Sequence, residues 1–79
     1  MTEDIRLRLL ALSSQRAIAQ EVGVSPQAVN QWLRKSTIPA RFVLPVCAFV
    51  GWKITPHEIR PDLYPSSSDG VPPLVRAQV

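Results

Sequence analysis

The chain has 79 residues, 46% hydrophobic and 19% charged, with a formal net charge of +3. That length holds one domain at most, burying roughly 60–65% of the surface its unfolded chain exposes, and the composition is that of a folded globular protein. Its lone cysteine, Cys47, excludes an intramolecular disulfide, no apolar run reaches the ~18 residues of a membrane span, and Glu3 and Asp4 stand where a secretory leader would be basic. The expectation is a soluble cytoplasmic protein with no membrane contact.

From Thr2 the apolar residues Ile5, Leu9 and Leu12 recur at helical spacing, with Leu10 beside them and Arg6 and Arg8 turned away. Thr2 is a cap, and the acids that follow suit a helix start. Ser13 and Ser14 break the pattern and offer caps to a second helix, Gln15 to Val22, with Ile18, Ala19 and Val22 inward. Gly23 stops it, because glycine takes the positive φ that ends a helix sharply. Val24 plugs the core behind the turn, and Ser25 followed by Pro26 supplies an N-cap and a residue whose fixed φ suits the first helical position. The third helix then runs from Pro26 to about Lys35, burying Val29, Trp32 and Leu33, with Gln27, Asn30, Gln31 and Arg34 on the opposite side.

Two placements compete after Lys35, where Pro39 and Pro45 interrupt an apolar stretch from Ala40 to Val50. Either Pro39 lies near a helix start and Pro45 kinks the helix, or residues 38 to 41 are extended and the helix begins near Phe42, leaving Pro45 in a first turn whose amide needs no partner. The second is favoured. Gly51 ends this fourth helix, and Cys47 is expected inside it as a small core residue. Thr55-Pro56-His57-Glu58 has the form of a capping box and predicts a short fifth helix that Pro61 limits, with His57 exposed at its start. Trp52 either caps the core or joins Phe49 and Ile54 in a dimer contact. Residues 1–65 thus form one domain, while the Pro-, Ser- and Gly-rich segment 66–79 cannot bury enough apolar area to offset its ordering and predicts a mobile tail. Val71, Leu74, Val75, Arg76 and Val79 are the residues there able to dock.

Charge and pattern together suggest a function. Between Ser14 and Lys53 the bases Arg16, Arg34, Lys35, Arg41 and Lys53 face one acid, Glu21, and such a cationic surface attracts polyanions. Ala19 is small where a second helix crosses close to it, Gly23 makes the turn, and Val29 packs the third helix onto the first two. Two helices joined by a three-residue turn leave the second free to project, and a cylinder of its diameter fits the DNA major groove. Residues 14–33, SQRAIAQEVGVSPQAVNQWL, resemble the helix-turn-helix of phage Cro and CI repressors, and look particularly like the Cro proteins of lambdoid phages and the YdaS antitoxin group. Ile38-Pro-Ala-Arg and His57-Glu-Ile-Arg-Pro-Asp-Leu-Tyr-Pro extend the YdaS-type similarity to about residues 14–65. The resemblance implies an all-α, Cro/CI-like domain of about five short helices, acting as a phage or prophage repressor that binds a double-stranded DNA operator, usually as a homodimer.

Carried onto this chain, the resemblance places Gln27, Asn30 and Gln31 toward the groove, where their amides bond base edges. Gln27 is the first choice. Ala28 lies beside it for a thymine methyl, Ser25 for a phosphate, and Arg34 reaches either a guanine or a phosphate. Gln15, Arg16, Lys35, Thr37 and Arg41 contact phosphates and position the protein without reading sequence. An antitoxin-type regulator that also holds a toxin protein through its C-terminal half is the alternative, and a helix-turn-helix serving only protein interaction is a third. No paired carboxylates, activated nucleophile or metal cluster is evident, so neither an enzyme nor a cofactor is expected.

Overall fold

Short polar residues open four of the five helices by accepting a backbone N–H that the helix itself leaves unpaired. In the computed structural model, which describes residues 1–73, Thr2 starts α1 (Glu3–Leu12) by accepting from the Ile5 N–H, and Ser14 starts α2 (Gln15–Val22) by accepting from Ala17. Ser25 starts α3 (Pro26–Arg34) by accepting from Ala28, with Pro26 in the first helical position. Thr55 starts α5 (Pro56–Ile59) in a full capping box, its side chain accepting from the Glu58 N–H while Glu58 accepts from the Thr55 N–H at 3.1 Å. All regular structure among the described residues is helical.

The fourth helix, α4 (Ala40–Phe49), departs from the favoured placement: it begins at Ala40 instead of near Phe42, with Pro39 as its uncapped N-cap and Pro45 inside it. Val43, Val46, Cys47 and Val50 are all buried, a spacing of three, four and seven that demands a continuous helix across the proline. Pro45 cannot donate to the Arg41 carbonyl, but both residues are exposed, so water can solvate that carbonyl. Val50 caps α4, and the chain then passes through two left-handed residues, Gly51 and Trp52, whose N–H groups donate to Ala48 and Cys47. Trp52 is half-buried against the core, which holds a bulky residue in that uncommon conformation.

The core is one cluster drawn from every helix and from the loops: Ile5, Leu9, Ile18, Ala19, Val29, Leu33, Ile38, Val43, Val46, Cys47, Val50, Ile54 and Ile59. Several expected positions differ. Leu12 is exposed, since α1 turns only Ile5 and Leu9 fully inward. Leu33 is buried and Trp32 half-buried, its indole stacked on Phe42 instead of filling the centre. Ile54 is fully buried and so unavailable to a dimer contact, whereas Phe49 is exposed.

Long side chains tie the frame. Arg8 of α1 reaches Glu58 of α5 at 2.7 Å and the Lys53 carbonyl at 3.1 Å. Arg60 donates to the Ile38 carbonyl at 2.9 Å while Asp62 holds it in a two-pronged pair. Part of the expected tail is seated as well. Ser66 and Asp69 close a turn, Val71 is buried, and Gly70 (φ +76°) lies where a β-carbon would be 3.0 Å from Leu44, Pro56 and Tyr64. Leu74, Val75, Arg76 and Val79 lie outside the described residues.

Candidate nucleic-acid interface

The turn between α2 and α3 is built by Gly23, which at φ +80° lets both its own N–H and that of Val24 donate to the Ala19 carbonyl, at 2.9 and 3.0 Å. Ala19 is 1% exposed, small enough for α3 to cross α2 closely, and Val29 and Leu33 anchor α3 from behind. With that face fixed, Gln27, Gln31 and Arg34, at intervals of four and three, are all exposed and share the outer side of α3. Ser25 is exposed and spends its hydroxyl oxygen as acceptor for the Ala28 N–H at 3.2 Å, leaving its O–H free to donate. Ala28 is half-buried.

Asn30 is half-buried, and its Nδ2 donates to Oε1 of Gln15 at 3.2 Å, so these two residues brace α3 against the start of α2. Gln15 keeps its own amide N–H donors, and Asn30 its carbonyl oxygen, for other partners. Fifteen residues separate the pair, and no local spacing signals such a bond.

The ion pairs sort the cations into two sets. Arg6, Arg8 and Arg60 pair with Glu3, Glu58 and Asp62 and stitch the frame. Among the described residues Arg16, Arg34, Lys35, Arg41 and Lys53 form no ion pair, and all five are exposed. Arg16 lies in the first turn of α2, Arg34 and Lys35 end α3, and exposed Thr37 leads toward Arg41 in the first turn of α4. Arg41 sits with its Cζ 4.8 Å from the Phe42 ring centroid. An open depression of about 250 Å³ between Arg16, Ala19, Gln20, Val24 and Pro26 separates α2 from the start of α3. Gln20, a turn beyond Arg16 on the same exposed face, is a polar residue that reading the motif overlooked; the i, i+4 spacing was its signal.

His57, half-buried instead of exposed, uses Nδ1 in a 2.8 Å hydrogen bond with the Tyr64 carbonyl, and Cys47 is fully buried. Burial, with a smaller contribution from the Glu58 charge, pushes the Cys47 thiol up to about 12, so it is protonated and inert as a nucleophile. No described helix is long and apolar enough to cross a membrane.

A family described as bacterial toxin YdaS matches residues 6–68, from the first turns of α1 through all five helices to the seated turn beyond Tyr64. The chain belongs to this family. The YdaS-type similarity therefore extends on both sides of the span 14–65 read from the sequence. No curated protein and no solved structure matches the chain.

Proposed function

We propose that this YdaS-family protein is a DNA-binding transcriptional regulator that lays α3 in the major groove of an operator. One observation carries the reading: an exposed polar face, Gln27, Gln31 and Arg34, stands on a helix anchored by buried Val29 and Leu33, and unpaired cations lie at both ends of the unit. Gln27 and Gln31 read base edges, Ala28 touches a thymine methyl, and Arg34 contacts a guanine or a phosphate. Arg16, Ser25, Lys35, Thr37 and Arg41 hold the backbone. Gln15 and Asn30 act as a joined pair, Asn30 orienting the Gln15 amide toward a phosphate while its own carbonyl stays available to a base edge. About 4 phosphates neutralised per subunit would give a log affinity falling by ~0.9 per phosphate for each unit of log salt.

The reading is a Cro-like repressor, paired as a homodimer on two half-sites one helical turn apart, acting without a cofactor in the bacterial cytoplasm and on the nucleoid when bound. It assigns no catalysis. A second reading is favoured by the family's description as a toxin: a toxin–antitoxin regulator that uses the same DNA chemistry and also holds a protein partner through its C-terminal half. Exposed Leu44, Phe49 and Leu63 in that half are apolar groups such a partner would cover.

Selection of bound duplexes from a random pool tests the proposal, with Gln27→Ala and Arg41→Ala in parallel at two salt concentrations. A pseudo-palindrome should emerge, Gln27→Ala should relax it at particular base pairs, and Arg41→Ala should weaken all sequences alike. Absence of any enriched sequence at low salt refutes sequence-specific binding. Capture of a second protein from the native host by the full chain, lost with Leu44→Ser and Phe49→Ser, would favour the second reading.

A further inference from the structure

Arg41 stands apart from the other unpaired cations because an aromatic face holds its guanidinium, 4.8 Å from the Phe42 ring centroid. Phe42 in turn stacks on Trp32 of α3, with centroids 4.9 Å apart and planes inclined by 30°. Phe42 thus touches both Trp32 of α3 and its own neighbour Arg41 in the first turn of α4. Trp32 and Phe42 are half-buried and packed against the core, so the ring that Arg41 meets is fixed, while Arg41 itself is exposed. The start of α4 is fixed separately: Arg60 grips the Ile38 carbonyl, and the Phe42 N–H donates to the Pro39 carbonyl at 2.9 Å. A ring face attracts the cation without offering an oxygen acceptor, so the guanidinium keeps its N–H donors for a phosphate. A lysine there would keep the charge and lose the planar fork.

We propose that Phe42 is a positioning residue for DNA: it holds the Arg41 guanidinium beside the C-terminal end of α3, where it meets a phosphate flanking the site that α3 reads. The inference rests on the DNA-binding reading above. It adds a residue that the motif does not contain and assigns the Trp32–Phe42 stack a role beyond filling space.

The test is anisotropy titration of a labelled duplex, the selected operator or else a random-sequence duplex, at several salt concentrations, using the full chain. Wild type, Phe42→Leu, Arg41→Ala and the double variant form a thermodynamic cycle. Phe42→Leu should weaken binding to every duplex by about 2–5-fold, the range of an exposed cation–π contact, and should add nothing in the Arg41→Ala background. Arg41→Ala should flatten the salt slope by about 0.9, and Phe42→Tyr should bind as wild type does. Arg41→Lys leaves the core untouched and should lose a similar 2–5-fold, so the proposal stays testable where Phe42→Leu lowers stability. Independent losses from Phe42→Leu and Arg41→Ala, or wild-type affinity in Arg41→Lys, overturn the role of Phe42 while DNA binding stands. Failure of the wild type to bind any duplex at low salt overturns the DNA reading, and this role with it.

Discussion

Gly23 and Gly70 share a backbone conformation, φ +80° and +76°, and differ in their surroundings, which makes them a matched pair for substitution by alanine. Either change places an L-residue in the left-handed region at about 1–2 kcal/mol. A methyl at Gly23 meets nothing within 4 Å, so that cost stands alone. A methyl at Gly70 lies 3.0 Å from Leu44 Cδ2, Pro56 Cγ and Tyr64 Cε1. Leu44 is 40% exposed and can rotate aside, but Pro56 is buried in the first position of α5, and Tyr64 is half-buried and packed against the core. Overpacking of that kind costs about 1–3 kcal/mol, and the movable leucine favours the lower end. Gly70→Ala should therefore destabilise by at least ~1 kcal/mol more than Gly23→Ala, or some 4–8 °C in Tm for a domain of this size. Urea unfolding followed by the fluorescence of Trp32 and Trp52 reads the difference. A Gly70→Ala loss equal to or smaller than that of Gly23→Ala would refute the seating of residues 66–71 on α4 and α5.

Three further outcomes follow from the same contacts. Partial burial pushes the Glu58 carboxyl up, but the Thr55 amide and then Arg8 more than offset it and hold the carboxyl below the ordinary range. A depressed folded-state value adds stability that is present above the unfolded pKa, about 4.3, and lost as pH falls through the folded value. Arg8→Ala should thus move acid unfolding, followed by circular dichroism, to higher pH, with an effect near neutrality of no more than ~1 kcal/mol because the pair is partly exposed; an unmoved acid transition would contradict the bridge. The Cys47 thiol, pushed up to about 12 by burial, contributes stability that is complete below the unfolded value of about 8.5 and fades as pH rises through the folded one. At pH 8 a thiol reagent should label it only at the rate of unfolding, and prompt labelling of the native chain would contradict its burial. Gln15→Ala and Asn30→Ala should each cost about 0.5–1.5 kcal/mol, and the double variant little more than either; simple addition would mean the two amides act separately.

Helix boundaries set by neighbouring residues were legible in the sequence. Thr2, Ser14, Ser25 and Thr55 each accept an N–H three residues ahead, and Gly23 bends the chain beside the helix it ends, so no distant residue is needed to place them. Contacts between distant segments were not legible. Whether α4 begins at Ala40 or Phe42 depends on the burial of Val43 and Val46, on the Trp32 surface waiting for Phe42, and on the Arg60 grip at Ile38, twenty-two residues away. Trp32 and Leu33 are adjacent apolar residues on α3, and their spacing alone does not say that Leu33 enters the core while Trp32 lies half-buried against Phe42. The polar composition of 66–70 says nothing of the gap beside Leu44, Pro56 and Tyr64 that receives Gly70. Among the candidate site residues the exposed face was legible from period alone, whereas the Asn30–Gln15 bond joins two residues given separate roles.

The distribution of acids explains how a net charge of only +3 leaves five exposed cations without an ion pair among the described residues. Glu3, Glu58 and Asp62 are occupied by Arg6, Arg8 and Arg60, and Asp69 is turned to the Ser66 N–H. Each of these acids serves local or interhelical ties outside the α2–α3 unit. Asp4 stays outside these pairs on α1, and Glu21 is the acid left within the α2–α3 unit, against Arg16, Arg34 and Lys35, with Arg41 and Lys53 beyond it. Paired charges a few ångströms apart nearly cancel at a distance, so the long-range field is set by the unpaired set, and salt screens it within about 10 Å at 0.1 M. These pairs thereby also neutralise acids that would otherwise oppose the unpaired cations. Breaking one, as Arg8→Ala does, frees Glu58 as an uncompensated acid and, on the proposed DNA-binding reading, should weaken association with DNA through the field alone, at low salt and for every sequence alike.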